Sequence, residues 1–459
     1  MLSRRRFLHS LTASAALLGL PARAGAEAGP AILAAGPSRH RIAPEGLPET
    51  DLWTFNGSFP GPELRFAQGG RLACRVENRL EAPTAVHWHG LRLDNAMDGV
   101  PGVTQAPILP GEEFDYAFDL PDAGTYWYHS HAQSVEQVER GLYGALIVEE
   151  AEAPEVDRDL TLVLDDIRMA RGAQLAGDFD NLHDRAHAGR IGNVVLTNGA
   201  PEPRYEVRRN DRLRLRLVNA ANARIFELGL YGLSGWVMAL DGMPLAAPQA
   251  LTGPMVLAPG QRIDLIVDVT TAEDEAFLLH LERNGGYAQA VFGVAPGAGA
   301  RRPDPAPLPP NPEFPIDLAG AVPQRVLMSG GAMRPLGEAI HQGEVLTGRE
   351  LTDRGLVWAL NGQAGRDILP LVEVPRGASV RLGLANDTAF RHAMHLHGMH
   401  FAQVRPDGTL GPLRDTLLMA PDETTEIAFA AHNPGDWLFH CHMLGHHAGG
   451  MGTFIRVTA

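Results

Sequence analysis

One pattern is written three times along this chain of 459 residues: an Asn-Gly pair, an alternating strand that ends in Asn, and a proline turn leading into a further strand. The pairs are Asn56-Gly57, Asn198-Gly199 and Asn361-Gly362, and the strand-end asparagines are Asn78, Asn219 and Asn386. The turns are ILPGEEFDYAF from Ile108, LAPGQRIDLIVDV from Leu257 and MAPDETTEIAF from Met419. Asn-Gly suits the tight hairpin turn that needs positive φ at both central residues, and apolar-polar alternation builds a half-buried strand. With 51 glycines and 35 prolines as punctuation and no long amphipathic helix, the repeat predicts an all-β chain of three consecutive Greek-key β-sandwich domains. Breaks in composition place them at 40–152, 156–300 and 324–459, with 301–323 a proline-rich linker. The polar segment Arg171 to Arg190 reads as a surface loop, and its His183 and His187, a pair able to hold a metal, read as solvated.

The net charge of −15 provides no basic field to displace counterions from a phosphate backbone, which argues against a nucleic-acid partner. Residues 1–26 combine a basic start, an apolar stretch from Leu11 to Leu20 and small-residue cleavage sites. The run Ser3-Arg4-Arg5-Arg6-Phe7-Leu8 looks like a twin-arginine export signal, which carries already folded proteins and suits one that needs a cofactor. The twin-arginine machinery is thus an expected partner and the periplasm the expected location. Past that signal no apolar run is long enough to cross a bilayer, so stable membrane insertion is not expected. The only two cysteines, Cys74 and Cys441, are expected to remain unpaired, with Cys74 a small buried strand residue.

Cys441 keeps different company. The histidines concentrate in four clusters: His87-Trp88-His89, Tyr128-His129-Ser130-His131, His392-Ala393-Met394-His395-Leu396-His397 and His440-Cys441-His442, the last followed by His446 and Met451. All fall at matching places in the first and third repeats, and the second has Arg224-Ile225-Phe226-Glu227-Leu228 instead. On a strand, alternate side chains share a face, so both rings of each His-x-His pair project together while the middle residue points away. If the first and third domains pack together, eight imidazoles meet at one interface, enough for three copper ions with coordination positions open to oxygen. Parity sends Cys441 to the opposite face, and His392, three residues before His395, goes with it. A His₂Cys set with a weak axial Met451 is the ligand list of a blue electron-transfer copper. Cys441 then joins the two sites, because its neighbours His440 and His442 face the cluster.

These residues resemble the multicopper oxidase family, which includes laccases and bacterial cuprous oxidases, over essentially the whole chain from Trp53 to Val457. The resemblance implies cupredoxin-like domains and four copper ions: type 1 on His392, Cys441, His446 and Met451, type 2 on His87 and His395, and the type 3 pair on His89, His129, His131, His397, His440 and His442. It implies one-electron oxidation of a small-molecule or metal-ion donor at type 1, coupled to four-electron reduction of O₂ to water at the other three. Asp98 matches an acidic residue of the family near the type 2 copper. Asp415 occupies a family position near the exposed edge of His446, where a substrate would deliver its electron and Asp415 could accept its proton. Many bacterial relatives carry a carboxylate, thought to assist proton delivery, where this chain has His447. His400 is read as a core or surface histidine, and the protein as a monomer.

Phenols and metal ions both remain open as donors. A periplasmic cuprous oxidase is the alternative, although the methionine-rich insertion found in such relatives is missing. A non-enzymatic cell-division scaffold of the same fold lacks these ligands, all of which are present here.

Overall fold

The structure, a computed structural model, describes residues 30–283, 285–365 and 369–459. The expected export signal at 1–26 lies outside the described residues. Strands dominate, and they sort into three consecutive pairs of sheets. Residues between Ala31 and Glu149 form two four-stranded sheets, those between Arg158 and Ala298 a six-stranded and a five-stranded sheet, and those between Val322 and Thr458 another six and five, with a small two-stranded hairpin added.

The repeated asparagines explain why the repeat exists. At each Asn-Gly turn both residues have positive φ, as a tight hairpin turn requires. Each turn Asn also reaches back to the first strand of its own sandwich. Asn56 accepts from Ala34 N–H and donates to Ile32 C=O, Asn198 does so with Val163 and Thr161, and Asn361 with Leu327 and Arg325, all at 2.7–2.8 Å. The strand-end asparagines pin the next crossing in the same way. Asn78 donates to Ala82 and Ile108, Asn219 to Arg224 and Leu257, and Asn386 to Phe390 and Ala420. In every sandwich the first strand pairs in parallel with the strand that carries this Asn at its end or one residue before it. A side-chain amide that satisfies several buried backbone groups is costly to replace, so the residue returns in each copy.

Packing does not treat the three copies alike. The apolar interiors of the first and third sandwiches merge into one continuous core, running from Leu33 and Trp88 to Phe439 and Ile455. The second keeps a separate core around Leu215, Leu228 and Leu265. Between the first and third, the strands Val86–His89 and Gly124–Ser130 face His392–Leu396 and Gly435–Cys441. His87 pairs across its sheet with His129, and His395 with His440, so the two halves present equivalent registers. Both cysteines are buried and free.

Candidate copper centre

All eight histidines of the four pairs converge. His87 stacks on His397 at 3.9 Å and His89 on His395 at 3.8 Å, each stack joining a ring from the first sandwich to one from the third. His131 lies 5.5 Å from His440, and His442 lies 4.9 Å from His89 and 5.3 Å from His129. Burial lowers the affinity of most of these rings for protons, and their mutual repulsion lowers it further. Neutral imidazoles are ready ligands.

Their hydrogen bonds divide the nitrogens into two kinds. The Nδ1–H of His87 donates to the Asp98 carbonyl at 2.8 Å, that of His395 to the Asp415 carbonyl at 3.0 Å, and that of His129 to the Ser130 carbonyl at 3.1 Å. The other nitrogens, His87 Nε2, His129 Nε2 and His395 Nε2, together with His89 Nδ1, are buried without a protein partner. His397 Nε2 and His440 Nε2 face one another at 3.1 Å while their Nδ1 atoms bond to the Asp98 carboxylate and the Cys441 carbonyl. One nitrogen held from behind and one aimed inward is how a protein orients imidazoles toward a metal, and leaving so many polar atoms unmatched would otherwise be costly.

On the far side of the last pair, His392, Cys441 and His446 form a second group. Cys441 Sγ is 3.6 Å from His392 Nδ1 and 3.7 Å from His446 Nδ1, and the two nitrogens are 3.0 Å apart. Met451 is fully buried beside them in sequence, its N–H bonded to the His446 carbonyl. Burial pushes the Cys441 thiol up to about 12, so a thiolate here calls for a cation. Three donors at these spacings fit copper of the blue type. Trp358, which no sequence motif marks, packs its ring 4.9 Å from His392 and 4.7 Å from His446.

Two placements differ from expectation. Asp415 is not at an exposed edge of His446 but wholly buried against the eight-histidine group, its Oδ1 3.3 Å from His89 Nε2 and 3.4 Å from His395 Nδ1. It can sit there because the buried Arg262 guanidinium meets both its oxygens. Burial alone would raise the Asp415 carboxyl, but Arg262 and the two histidines hold it well below the usual carboxylate range. Nor is the edge of His446 exposed. Its Nε2 is 2.7 Å from the His187 carbonyl, and the segment expected to be a solvated loop folds in part as a short helix, Leu182–Ala186, packed on the helix that carries His446. His183 and His187 stack on each other at 3.9 Å. Sequence rules could not find this cover because it is a contact between residues 259 positions apart.

Asp98 does reach the cluster. Besides its carbonyl bond to His87, its Oδ2 is 2.9 Å from His397 Nδ1. His447 is half-buried, with its ring 4.3 Å from His440 and 5.6 Å from His131. His400 is a core residue, and burial lowers it to about 4. Met328, Met394, Met399 and Met443 belong to the shared core, and Met333 is exposed.

Multicopper oxidase domain models match residues 38–153 and 343–459. The multicopper oxidase MmcO of Mycobacterium tuberculosis is 30% identical, over 89% of this chain and 83% of that protein. The chain belongs to the multicopper oxidase family. It is therefore a copper-binding oxidoreductase with cupredoxin-like sandwiches. The crystal structure of Lac15, from a marine microbial metagenome, is similar to this multicopper oxidase with a TM-score of 0.76 and 42% identity, covering 93% of this chain and all of that one. Copper resistance protein A of Pseudomonas syringae pv. tomato is 26% identical over 99% of both chains.

Proposed function

We propose that this multicopper oxidase holds four copper ions and couples one-electron oxidation of phenolic compounds or metal ions to the reduction of O₂ to two waters. The observation that carries the proposal is the pair of back-to-back sites separated only by the backbone of His440-Cys441-His442. In this reading His392, Cys441, His446 and Met451 hold the type 1 ion, His87 and His395 the type 2 ion, and His89, His129, His131, His397, His440 and His442 the type 3 pair. Bound copper supplies the one-electron redox chemistry at the first site and the oxygen-reducing chemistry at the second. The chain supplies the rest. Peptide bonds run directly from Cys441 to a ring on either side, a short covalent bridge between the pockets.

Four electrons and four protons are consumed per O₂. Asp98 stands between His87 and His397 and is placed to pass protons inward. His447 stands where a half-buried imidazole can relay protons from solvent toward His131 and His440. Asp415, with both oxygens taken by Arg262, serves to position rings rather than to carry protons. The donor meets the segment around His187 first, and its electron enters His446 through that segment.

The chain's export by the twin-arginine route to the periplasm, its monomeric state and domain limits near 40–152, 156–300 and 324–459 belong to the same proposal. No helix among the described residues is long and apolar enough to cross a membrane. The deciding experiment counts copper in loaded protein and compares oxygen uptake with a methoxyphenol and with Cu(I). About four copper ions per chain and four donors oxidised per O₂ are expected. One copper per chain, or peroxide as the product, refutes the reading.

A further inference from the structure

The second sandwich carries none of the proposed copper ligands, yet one of its loops reaches the wall of the eight-histidine cavity. Gly260, with φ near +84°, lies so close to His442 that an added Cβ would meet the ring at 2.8 Å. Gln261 donates to the Thr416 carbonyl at 3.0 Å. Arg262 follows, at the start of the strand Arg262–Val269, and is completely buried. Its Nη1 donates to Asp415 Oδ1 at 2.9 Å, its Nη2 to Asp415 Oδ2 at 2.7 Å, and its Nε to the Thr125 carbonyl at 3.2 Å. Thr125 lies on the strand that bears His129, and Asp415 lies beside the strand that bears His395, so one guanidinium spans all three sandwiches. Gly90, next to His89, has no room for a Cβ because Arg262 and Asp415 occupy the space.

A symmetry sharpens the meaning of that contact. Asp98 and Asp415 do the same work from opposite sides: each offers its backbone carbonyl to the type 2 histidine of its own sandwich and its carboxylate to a type 3 histidine of the other. Among the described residues no arginine pairs with Asp98, whereas Asp415 is gripped at both oxygens. Asp241 completes the clamp from the second sandwich, accepting from the backbone N–H groups of Arg262, Asp415 and Thr416.

We propose that Arg262 is the second sandwich's contribution to the trinuclear centre, a positioning residue whose two-pronged grip on Asp415 keeps His89 Nδ1 and His395 Nε2 aimed at the metal. A planar fork suits this task because it fixes the carboxylate plane as well as its place, which an ammonium does not. The proposal rests on the reading of His89 and His395 as copper ligands. Outer partners of metal-bound imidazoles typically change metal retention by about 10- to 100-fold.

The test compares copper-loaded wild type, R262Q, R262K, D415N and the R262Q/D415N double variant by copper content, chelator competition, blue absorption and the type 2 signal in electron paramagnetic resonance. Arg262→Gln is expected to keep the blue band while releasing type 2 copper about 10- to 100-fold more readily. R262K should fall between it and wild type, and the double variant should be no worse than D415N, since the two residues act through one contact. Full retention with an unaltered type 2 signal in R262Q, or additive losses in the double variant, overturns the proposal. Should R262Q fail to fold, R262K decides, because it keeps the charge without the fork, and unaltered type 2 copper there overturns it equally. Wild type that takes up no cluster copper would instead refute the ligand reading itself.

Discussion

The two proposed copper pockets are built on opposite plans. The His392, Cys441, His446 pocket lies within one sandwich, and three of its four proposed ligands come from the single stretch that closes the chain. The eight-histidine cavity belongs to no sandwich alone. Its rings arrive from two, and the carboxylates behind them are fixed by contacts between residues far apart in the chain, Asp98 with His397 at a separation of 299 positions and Arg262 with Asp415 at 153. A site inside one sandwich inherits its geometry from hairpin register, whereas a site between sandwiches exists only when the shared core of the first and third has formed. The inner pocket should therefore tolerate damage at the interface better than the cavity does.

The most severe way to break that contrast is Cys441→Ser, which removes a proposed ligand of one pocket and the bridge to the other. Blue absorption and turnover should both vanish, with copper content falling by about one ion per chain. Oxidase activity retained by this variant would sink the assignment of Cys441. Next comes His397→Ala, which should leave the blue band and electron acceptance from a donor intact while oxygen uptake drops by more than about 100-fold. Loss of the blue band as well would mean that the pockets are not separable. Asp98→Asn, milder because the carbonyl bond to His87 survives, should slow oxygen reduction by about 10- to 100-fold with an unchanged Michaelis constant for the donor.

A smaller effect concerns acid. Burial lowers His400 to about 4 and lowers most of the cluster histidines too. Below the ordinary histidine range near 6.5 the unfolded chain takes up protons that the folded chain refuses, so stability of the copper-free protein is present above that range and lost as pH falls through it. His400 alone should account for about 2 kcal/mol between pH 7 and pH 5. Thermal unfolding of copper-free protein at the two pH values measures it, and a midpoint that does not drop at pH 5 contradicts the burial of these rings. The smallest change is expected from His183→Ala on the helix that covers His446. Phenol turnover should shift less than about threefold, because the cover touches His446 through a backbone carbonyl that the substitution keeps.

Much of this architecture is legible in the amino-acid order. The asparagine repeat announces three sandwiches because each Asn satisfies buried backbone groups within its own copy, a local requirement that repeats wherever the local structure does. Parity along a strand suffices to set Cys441 apart from His440 and His442, since the pleat operates between neighbours. Sequence reasoning misplaces Asp415 because its position depends on Arg262, which in the sequence is one more residue of a proline turn. The helix Leu182–Ala186 reads as loop because its charged face looks solvated until the segment meets the third sandwich.

The amino-acid order by itself determined the strands, the three copies and which side chains could be proposed as metal ligands, all through rules that span a few residues. The packing of the copies decided which faces became a cavity, which carboxylate was clamped and which left unclamped, and what stood in front of His446. Those outcomes depend on buried contacts between distant segments, where a bidentate ion pair or a merged core counts for more than any local preference.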